Sequence, residues 1–228
     1  MEINKRRERE REKLEEPEGK LSSSLNELPS GYEFHKLGPR DADECYEHRE
    51  KILEELRSEN RSCEYLVDES EKNFKNFFYD KTCDVLGIVF EKRIVAFAIS
   101  SFRAEMLERF RGILPESVFT NKYDLCYIEM AEVSKEHRGK RLEAFLVAQL
   151  QENAFQKWKT KNFAVIYYPG NIASKKSLER CGFYEFARFV HKDTGYDRVK
   201  AACLDYQGNR SASEENGLRL YSKNVANI

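Results

Sequence analysis

The sequence predicts one α/β domain built on a single mixed, mostly antiparallel sheet with helices on both faces. Three observations predict it. Strand-like runs sit in hairpin pairs both early and late in the chain. Between those pairs, a strand, a helix with a continuous apolar stripe and a second strand follow in close succession, the signature of a β-α-β unit. The 228 residues, 40% hydrophobic and 35% charged, suit one domain with polar ends better than two small ones.

Residues 1–30 read as a charged leader, expected to be disordered. Lys5 to Glu16 is almost wholly Arg and Glu, and the Glu residues cancel nearly all the Arg charge. That balance favours a solvated leader over a nucleic-acid arm. The domain then spans residues 31–206. Tyr32 to Leu37 alternates as a first strand, and Gly38-Pro39 ends it. Asp41 is placed to cap a helix through about Arg57, and a second short helix is expected from Asp68 to Tyr79. Cys83 to Phe90 and Ile94 to Phe102 form a hairpin around Glu91-Lys92-Arg93, a turn without the usual glycine or asparagine. Ala104 to Lys122 is an insertion with a short helical pattern, followed by the strand Tyr123 to Val133.

From Lys140 the apolar positions Leu142, Leu146, Leu150, Ala154 and Trp158 give a helix one buried stripe. Phe163 to Tyr168 is a buried strand. Asn171 caps a helix through Arg180, and Gly182 suits the left-handed position that ends it. Phe183 to Val190 and Arg198 to Tyr206 close the domain as a hairpin around Lys192 to Gly195, and residues 207–228 form a polar tail.

Composition narrows the function classes. A formal net charge of −1 supplies no global field for nucleic acid, so nucleic acid is not an expected partner. No apolar run approaches a membrane span, and the start lacks a signal-peptide core, so the expected location is cytoplasmic with no membrane partner. The cysteines at 45, 63, 83, 126, 181 and 203 have no zinc-type spacing and read as free thiols of a reducing compartment. No metal is expected.

The chemistry concentrates after the strand that ends at Val133. A strand feeding a helix through a basic, glycine-bearing turn leaves backbone N–H groups unpaired at the helix start, beside the positive end of its dipole. Such a turn suits a phosphate. Arg138, Lys140 and Arg141 crowd cations where a helix start disfavours them unless an anion arrives, and Gly139 lets the backbone approach closely.

Val133 to Leu142, Val-Ser-Lys-Glu-His-Arg-Gly-Lys-Arg-Leu, resembles the acyl-CoA loop of the GNAT superfamily of N-acetyltransferases. Asn171, ten residues, then Gly182-Phe183 resembles the second signature of that family. The order of strands and helices agrees over roughly residues 32–206. The resemblance implies a GNAT-like fold in which the central β-α-β unit is splayed, and direct transfer of an acetyl group from acetyl-CoA to a primary amine. Ala131 and Val133 would pair with the pantetheine arm. Arg138, Gly139, Lys140, Arg141 and Leu142 would cradle the diphosphate. Asn171 would contact the cofactor, which Ser174 or Ser177 would help cover. The acceptor would be a small-molecule or protein amine, and the enzyme a monomer or homodimer.

Two positions depart from the family pattern. Arg141 stands where glycine is common, and Glu143 where glycine or alanine is common, so that its carboxylate would repel a diphosphate unless it turned sideways onto Arg138 or Lys140. The frequent tyrosine acid, seven residues after the Asn, is Leu178. Tyr184, Tyr167, Tyr168 or water remain as proton donors. For the base, alternation puts Tyr127, Glu129, Ala131 and Val133 on one strand face, with Glu129 its one carboxylate. Glu129 reads equally as a salt-bridged strand residue, and Glu132 faces away. The alternative function is a non-catalytic acyl-CoA-binding or regulatory module of the same fold.

Overall fold

The computed structural model describes residues 27–59, 70–190 and 197–207. The leader before residue 27, the Asp68 start of the second helix, the Lys192 to Gly195 turn, Cys63 and the tail from residue 208 lie outside the described residues.

Seven strands form one sheet: β1 (Tyr32–Lys36), β2 (Cys83–Phe90), β3 (Arg93–Ser101), β4 (Leu125–Val133), β5 (Asn162–Tyr167), β6 (Tyr184–Val190) and β7 (Asp197–Cys203). Their order is β1-β2-β3-β4-β5-β7-β6, and every pairing is antiparallel except β4 with β5. The helices are α1 (Ala42–Ser58), α2 (Glu71–Tyr79), α3 (Ala104–Glu108), α4 (Leu142–Trp158) and α5 (Ile172–Arg180). The element order matches the sequence reading throughout.

Alternation sorts the side chains of the sheet onto two faces. On one face Ile88, Ala98, Cys126, Ile128, Val165 and Ala201 pack against α4, with α5 beyond it. On the other, Val85, Phe97 and Ile99 meet α1 and α2, while Leu125, Tyr127, Ala164 and Ala202 meet the segment containing α3. Helix α4 is buried more widely than one stripe: Ala144, Phe145, Val147, Ala148 and Gln151 are buried as well. The cause is a second neighbour. The Gln151 side chain donates to the Cys181 carbonyl at 3.1 Å and ties α4 to the end of α5.

Three local expectations change. Asp41 closes a short 3₁₀ turn, and its carboxylate accepts from the Gly38 N–H at 2.8 Å instead of capping α1. Ser70 caps α2 by accepting from Asn73 N–H at 3.3 Å. The β2–β3 turn has two residues, Glu91 and Lys92, both left-handed at φ 49° and 67°. This is the backbone that Asn-Gly favours, and side chains with a Cβ are strained in it. Replacing the pair by Glu91→Asn with Lys92→Gly should stabilise the fold by about 1 kcal/mol, a rise of about 2–4 °C in Tm by calorimetry.

Candidate active site

Strand β4 begins zipped to β5 and then parts from it. The parallel ladder runs from the Leu125–Asn162 pair to the Ile128–Val165 pair and stops, although β4 continues to Val133. The residue that follows the last pair is Glu129. It is the extra residue of a β-bulge against β3, because Ile99 opposes Met130 while Ser100 opposes Ile128. The bulge reverses the alternation. Tyr127 belongs to the face of α3, whereas Ala131 and Val133 belong to the face of α4. The expectation that Tyr127, Ala131 and Val133 share a face therefore fails at this one residue.

Beyond the bulge, the outer edge of β4 faces an opening. Ser134 N–H donates to the Val95 carbonyl at 2.9 Å, toward β3. Alternation then turns the N–H groups of Val133 and Ala131 toward the opening. A cleft of about 730 Å³ occupies it. Its lining includes Tyr127, Glu129, Ala131, Val133, Arg138, Gly139, Arg141, Leu142, Asn171, Ser174 and Ser177, which are most of the residues singled out from the sequence.

At one end of the cleft the chain enters α4. Gly139 and Arg141 are left-handed at φ 77° and 62°, and Lys140 between them is not. Such alternation turns successive N–H groups toward a common centre, an anion-binding concavity. Among the described residues the N–H groups of Gly139, Lys140 and Arg141 have no hydrogen-bond partner, and no side chain caps the helix. The first helical bond is Phe145 N–H to the Arg141 carbonyl at 3.0 Å, so Leu142, Glu143 and Ala144 have no carbonyl one turn back to pair with. The left-handed backbone at 141 supplies a reason why glycine suits that position, and Arg141 holds it at a cost of about 1–2 kcal/mol.

This loop is held from two sides. Helix α1 presents a row of side chains to it. Arg49 pairs with Glu132 with both side chains buried, and Glu55 and Glu59 reach Arg138 at 3.7 Å and Lys135 at 3.0 Å. His48 Nδ1 lies 3.4 Å from Ser134 Oγ, and burial pushes its pKa down to about 4. From β1, the Tyr32 hydroxyl lies 2.8 Å from His137 Nδ1 and accepts from Lys140 Nζ at 2.7 Å. Lys140 is therefore folded back over Tyr32 and does not line the cleft. Arg138 donates through Nε to the Val133 carbonyl at 3.1 Å, which sets its guanidinium over the strand end.

Glu143 resolves its conflict differently from the sideways pairing with Arg138 or Lys140. Its carboxyl faces the hydroxyls of Ser174 and Ser177 on α5, and burial holds it above the ordinary value of 4.5 despite those hydroxyls. Asn171 caps α5 as expected, accepting from Ser174 N–H at 3.1 Å.

Further into the cleft, Glu129 accepts from Ser101 Oγ at 2.5 Å, and the charge of Arg103 lies close by. Tyr184 does not line the cleft. It borders a separate hollow beside Lys175, Glu179 and Glu185, with its ring 4.7 Å from that of Phe186. Of the other tyrosines, Tyr127 is buried with its ring 5.9 Å from Phe110. Tyr167 donates to Glu185 at 2.8 Å, and burial followed by that carboxylate raises its pKa. Tyr168 lies against the Pro169-Gly170 turn, where a Cβ on Gly170 would come within 2.4 Å of its ring.

The sequence reading missed Arg49, Arg109 and Arg198, which also line the cleft. Arg49 was readable, since it shares the apolar stripe Cys45–Ile52–Leu56 where a cation needs a buried partner. No local pattern marks the other two. Among the described residues no cluster of acidic, His or Cys groups suits a metal ion, and no helix is long and apolar enough to cross a membrane.

A family model described as the acetyltransferase (GNAT) family matches residues 49–183. No curated protein matches the chain in sequence. Among solved structures, the ribosomal-protein-S5-alanine acetyltransferase from Vibrio fischeri is 13% identical with a TM-score of 0.58, over 78% of this chain and 96% of that one. A spermidine N-acetyltransferase SpeG chimera from Vibrio cholerae and hSSAT is 14% identical with a TM-score of 0.54, over 77% and 96%. The aminoglycoside acetyltransferase AAC(6')-Ib, in complex with coenzyme A and kanamycin, is 15% identical with a TM-score of 0.52, over 76% and 94%. These likenesses establish the fold. The family model covers more than half of the chain, and the protein belongs to the acetyltransferase (GNAT) family as an enzyme of that class.

Proposed function

We propose that the protein transfers an acetyl group from acetyl-CoA directly to a primary amine inside this cleft. The observation that carries the proposal is the unpaired outer edge of β4 leading straight into the uncapped start of α4. An extended pantetheine arm supplies the missing strand, and the diphosphate supplies the anion that the exposed amides and Arg138 and Arg141 call for. Its length of backbone amides, its cations and the absence of a side-chain cap all fit that group. The complex of a structural neighbour with coenzyme A supports the same choice.

Acetyl-CoA contributes an activated acyl carbon with a thiolate leaving group. The remaining work falls to the chain. Glu129, fixed by Ser101, takes the proton that the amine loses as its nitrogen bonds to the acyl carbon. The Ala131 N–H polarises the carbonyl oxygen as negative charge develops there. The C–S bond then breaks, and the thiolate takes a proton. Tyr168 lines the cleft and is the tyrosine we assign to this step, with water as the alternative. Tyr184, outside the cleft, is not part of this assignment.

Calorimetric titration with acetyl-CoA tests the cofactor reading. Arg138→Glu with Arg141→Glu should weaken binding about tenfold or more, and unchanged affinity would reject it. Glu129→Gln should lower kcat by roughly 10²–10⁴-fold with little change in acetyl-CoA affinity, read as CoA release in an amine panel.

Glu143 adds a pH dependence. Burial keeps its carboxyl neutral to a higher pH than the ordinary 4.5. As pH rises through that raised value the group ionises beside the diphosphate, so acetyl-CoA affinity should fall with rising pH. Glu143→Gln should flatten that fall and tighten binding at pH 8 by roughly fivefold, about 1 kcal/mol. His137, held below 6.5 by burial and by Lys140, would leave a smaller residual slope at lower pH.

A further inference from the structure

Strand β1 lies at one edge of the sheet and pairs with β2 alone, which sets Tyr32 opposite Phe90. The two rings are 4.7 Å apart, and the His137 ring closes against both, 5.7 Å from Tyr32 and 5.2 Å from Phe90. A residue near the start of the domain is thereby seated against the loop that enters α4. Among the described residues none of β1 lines the cleft, so Tyr32 can act on the site only through that loop.

The Tyr32 hydroxyl meets the loop at two places. It accepts from Lys140 Nζ at 2.7 Å and lies 2.8 Å from His137 Nδ1. An ammonium can only donate, so toward Lys140 the phenol oxygen is the acceptor. Its own proton then goes to His137 Nδ1, because among the described residues the hydroxyl has no other hydrogen-bond partner. That direction makes Nδ1 the acceptor of a neutral imidazole and leaves the ring proton on Nε2. Burial and the Lys140 charge lower the His137 pKa, against the opposing pull of Glu136 and Glu91. His48, whose charge would also oppose a second imidazolium, is held neutral by its own burial.

The two contacts stand on either side of Gly139. His137 N–H donates to the Ser134 carbonyl at 2.9 Å, and Lys140 Nζ donates to the Glu136 carbonyl at 3.3 Å, so both groups are also tied to the 3₁₀ turn Lys135–His137. Gly139, at φ 77°, is the residue of this stretch with the most backbone freedom. One oxygen from a distant strand therefore joins the two flanks of the flexible residue around which the loop N–H groups converge. Lys140 Nζ, 5.3 Å from the centre of the Tyr32 ring, is committed to this contact and is not among the residues lining the cleft.

We propose that Tyr32 is a positioning residue of the coenzyme site: its hydroxyl pins His137 and Lys140 together and holds Gly139 between them in the backbone that receives a diphosphate. Lys140 then acts on the shape of the loop rather than as a phosphate ligand. Binding to a loop already held in shape loses less conformational freedom than binding to one that must first be ordered. This role rests on the acetyltransferase reading above and adds to it a residue that touches neither substrate.

The experiment uses the full chain and three variants: Tyr32→Phe, which keeps the ring against Phe90 and removes the hydroxyl, Lys140→Met, and the two together. Tm is measured for each. Calorimetry reads affinity for acetyl-CoA and, as a second probe, for inorganic diphosphate. Tyr32→Phe should weaken both by roughly fivefold, and should raise KM for acetyl-CoA with little change in kcat or in the acceptor KM. The double variant should bind no more weakly than the more affected single variant, because either change undoes the same pin. Losses that multiply in the double variant would overturn the proposal. So would a Tyr32→Phe protein that binds acetyl-CoA as tightly as the unaltered one or more tightly, the result expected if the hydroxyl merely withheld Lys140 from the phosphates. A fall in Tm with kcat and every KM affected alike would reduce Tyr32 to a support of the fold and also overturn it. Imidazole 15N spectra of the ligand-free protein supply a further readout. At pH 7 His137 should show an unprotonated Nδ1 and a protonated Nε2, and in Tyr32→Phe the ring should titrate at higher pH; the opposite tautomer in the unaltered protein would contradict the pin. Weakened diphosphate binding in Tyr32→Phe, in a protein without affinity for acetyl-CoA, would reject the acetyltransferase reading and keep the pinned anion loop. Binding of neither probe by the unaltered protein would reject both.

Discussion

Among the described residues, no strand pairs with the β5 edge of β4 beyond Ile128, and the site takes its form from that gap. Buried backbone amides and carbonyls must find partners, and here a row of them is left for a ligand. Two features create the gap. The bulge at Glu129 bends β4, and β5 turns its pairing wholly to β7, where Ile166 and Tyr167 meet Lys200 and Val199. The same bulge puts Glu129 at the point of divergence and switches the faces of the residues on either side of it. One extra residue thus opens the cleft and places a carboxylate inside it.

A strand edge waiting for a ligand needs rigid support. Helix α1 and the Glu59 that follows it provide it, with Arg49, Glu55, Glu59 and His48 each directed at β4 or the loop that follows. A buried ion pair such as Arg49–Glu132 is weak evidence for net stability, but breaking it from one side leaves a charge stranded. Its contribution here is positional, tying β4 at Glu132 to helix α1. On the proposed reading, the left-handed Arg141 and the Lys140 drawn back to Tyr32 belong to a loop shaped for an anion rather than for helix stability. Glu143 runs against that trend, and burial keeps its carboxyl, which faces the Ser174 and Ser177 hydroxyls, protonated to a higher pH than usual.

Much of the fold was legible from local chemistry. The strand and helix order, the Asn171 cap and the left-handed Gly182 follow from periodicity and turn residues, and the structure shows all three. The cleft lining was legible where backbone dominates, from Ala131 to Leu142. What escaped depended on tertiary contacts. A bulge leaves no mark on an alternating run, so Tyr127 was assigned to the wrong face. Lys140 looked like its basic neighbours until Tyr32, more than a hundred positions away, claimed it. Tyr184 was a candidate by distance along the chain, and the turn of β6 carries it away from the cleft. Arg109 and Arg198 come from separate elements and reach the cleft only in the folded chain.

The central claim is that the coenzyme occupies the open edge of β4 and the start of α4 together. Amide hydrogen exchange followed residue by residue, with and without acetyl-CoA, tests it most directly. The account predicts new protection at Ala131 and Val133 and at Gly139 through Ala144, with β2 and β3 unchanged. Saturating acetyl-CoA that leaves those amides exchanging as before would contradict it.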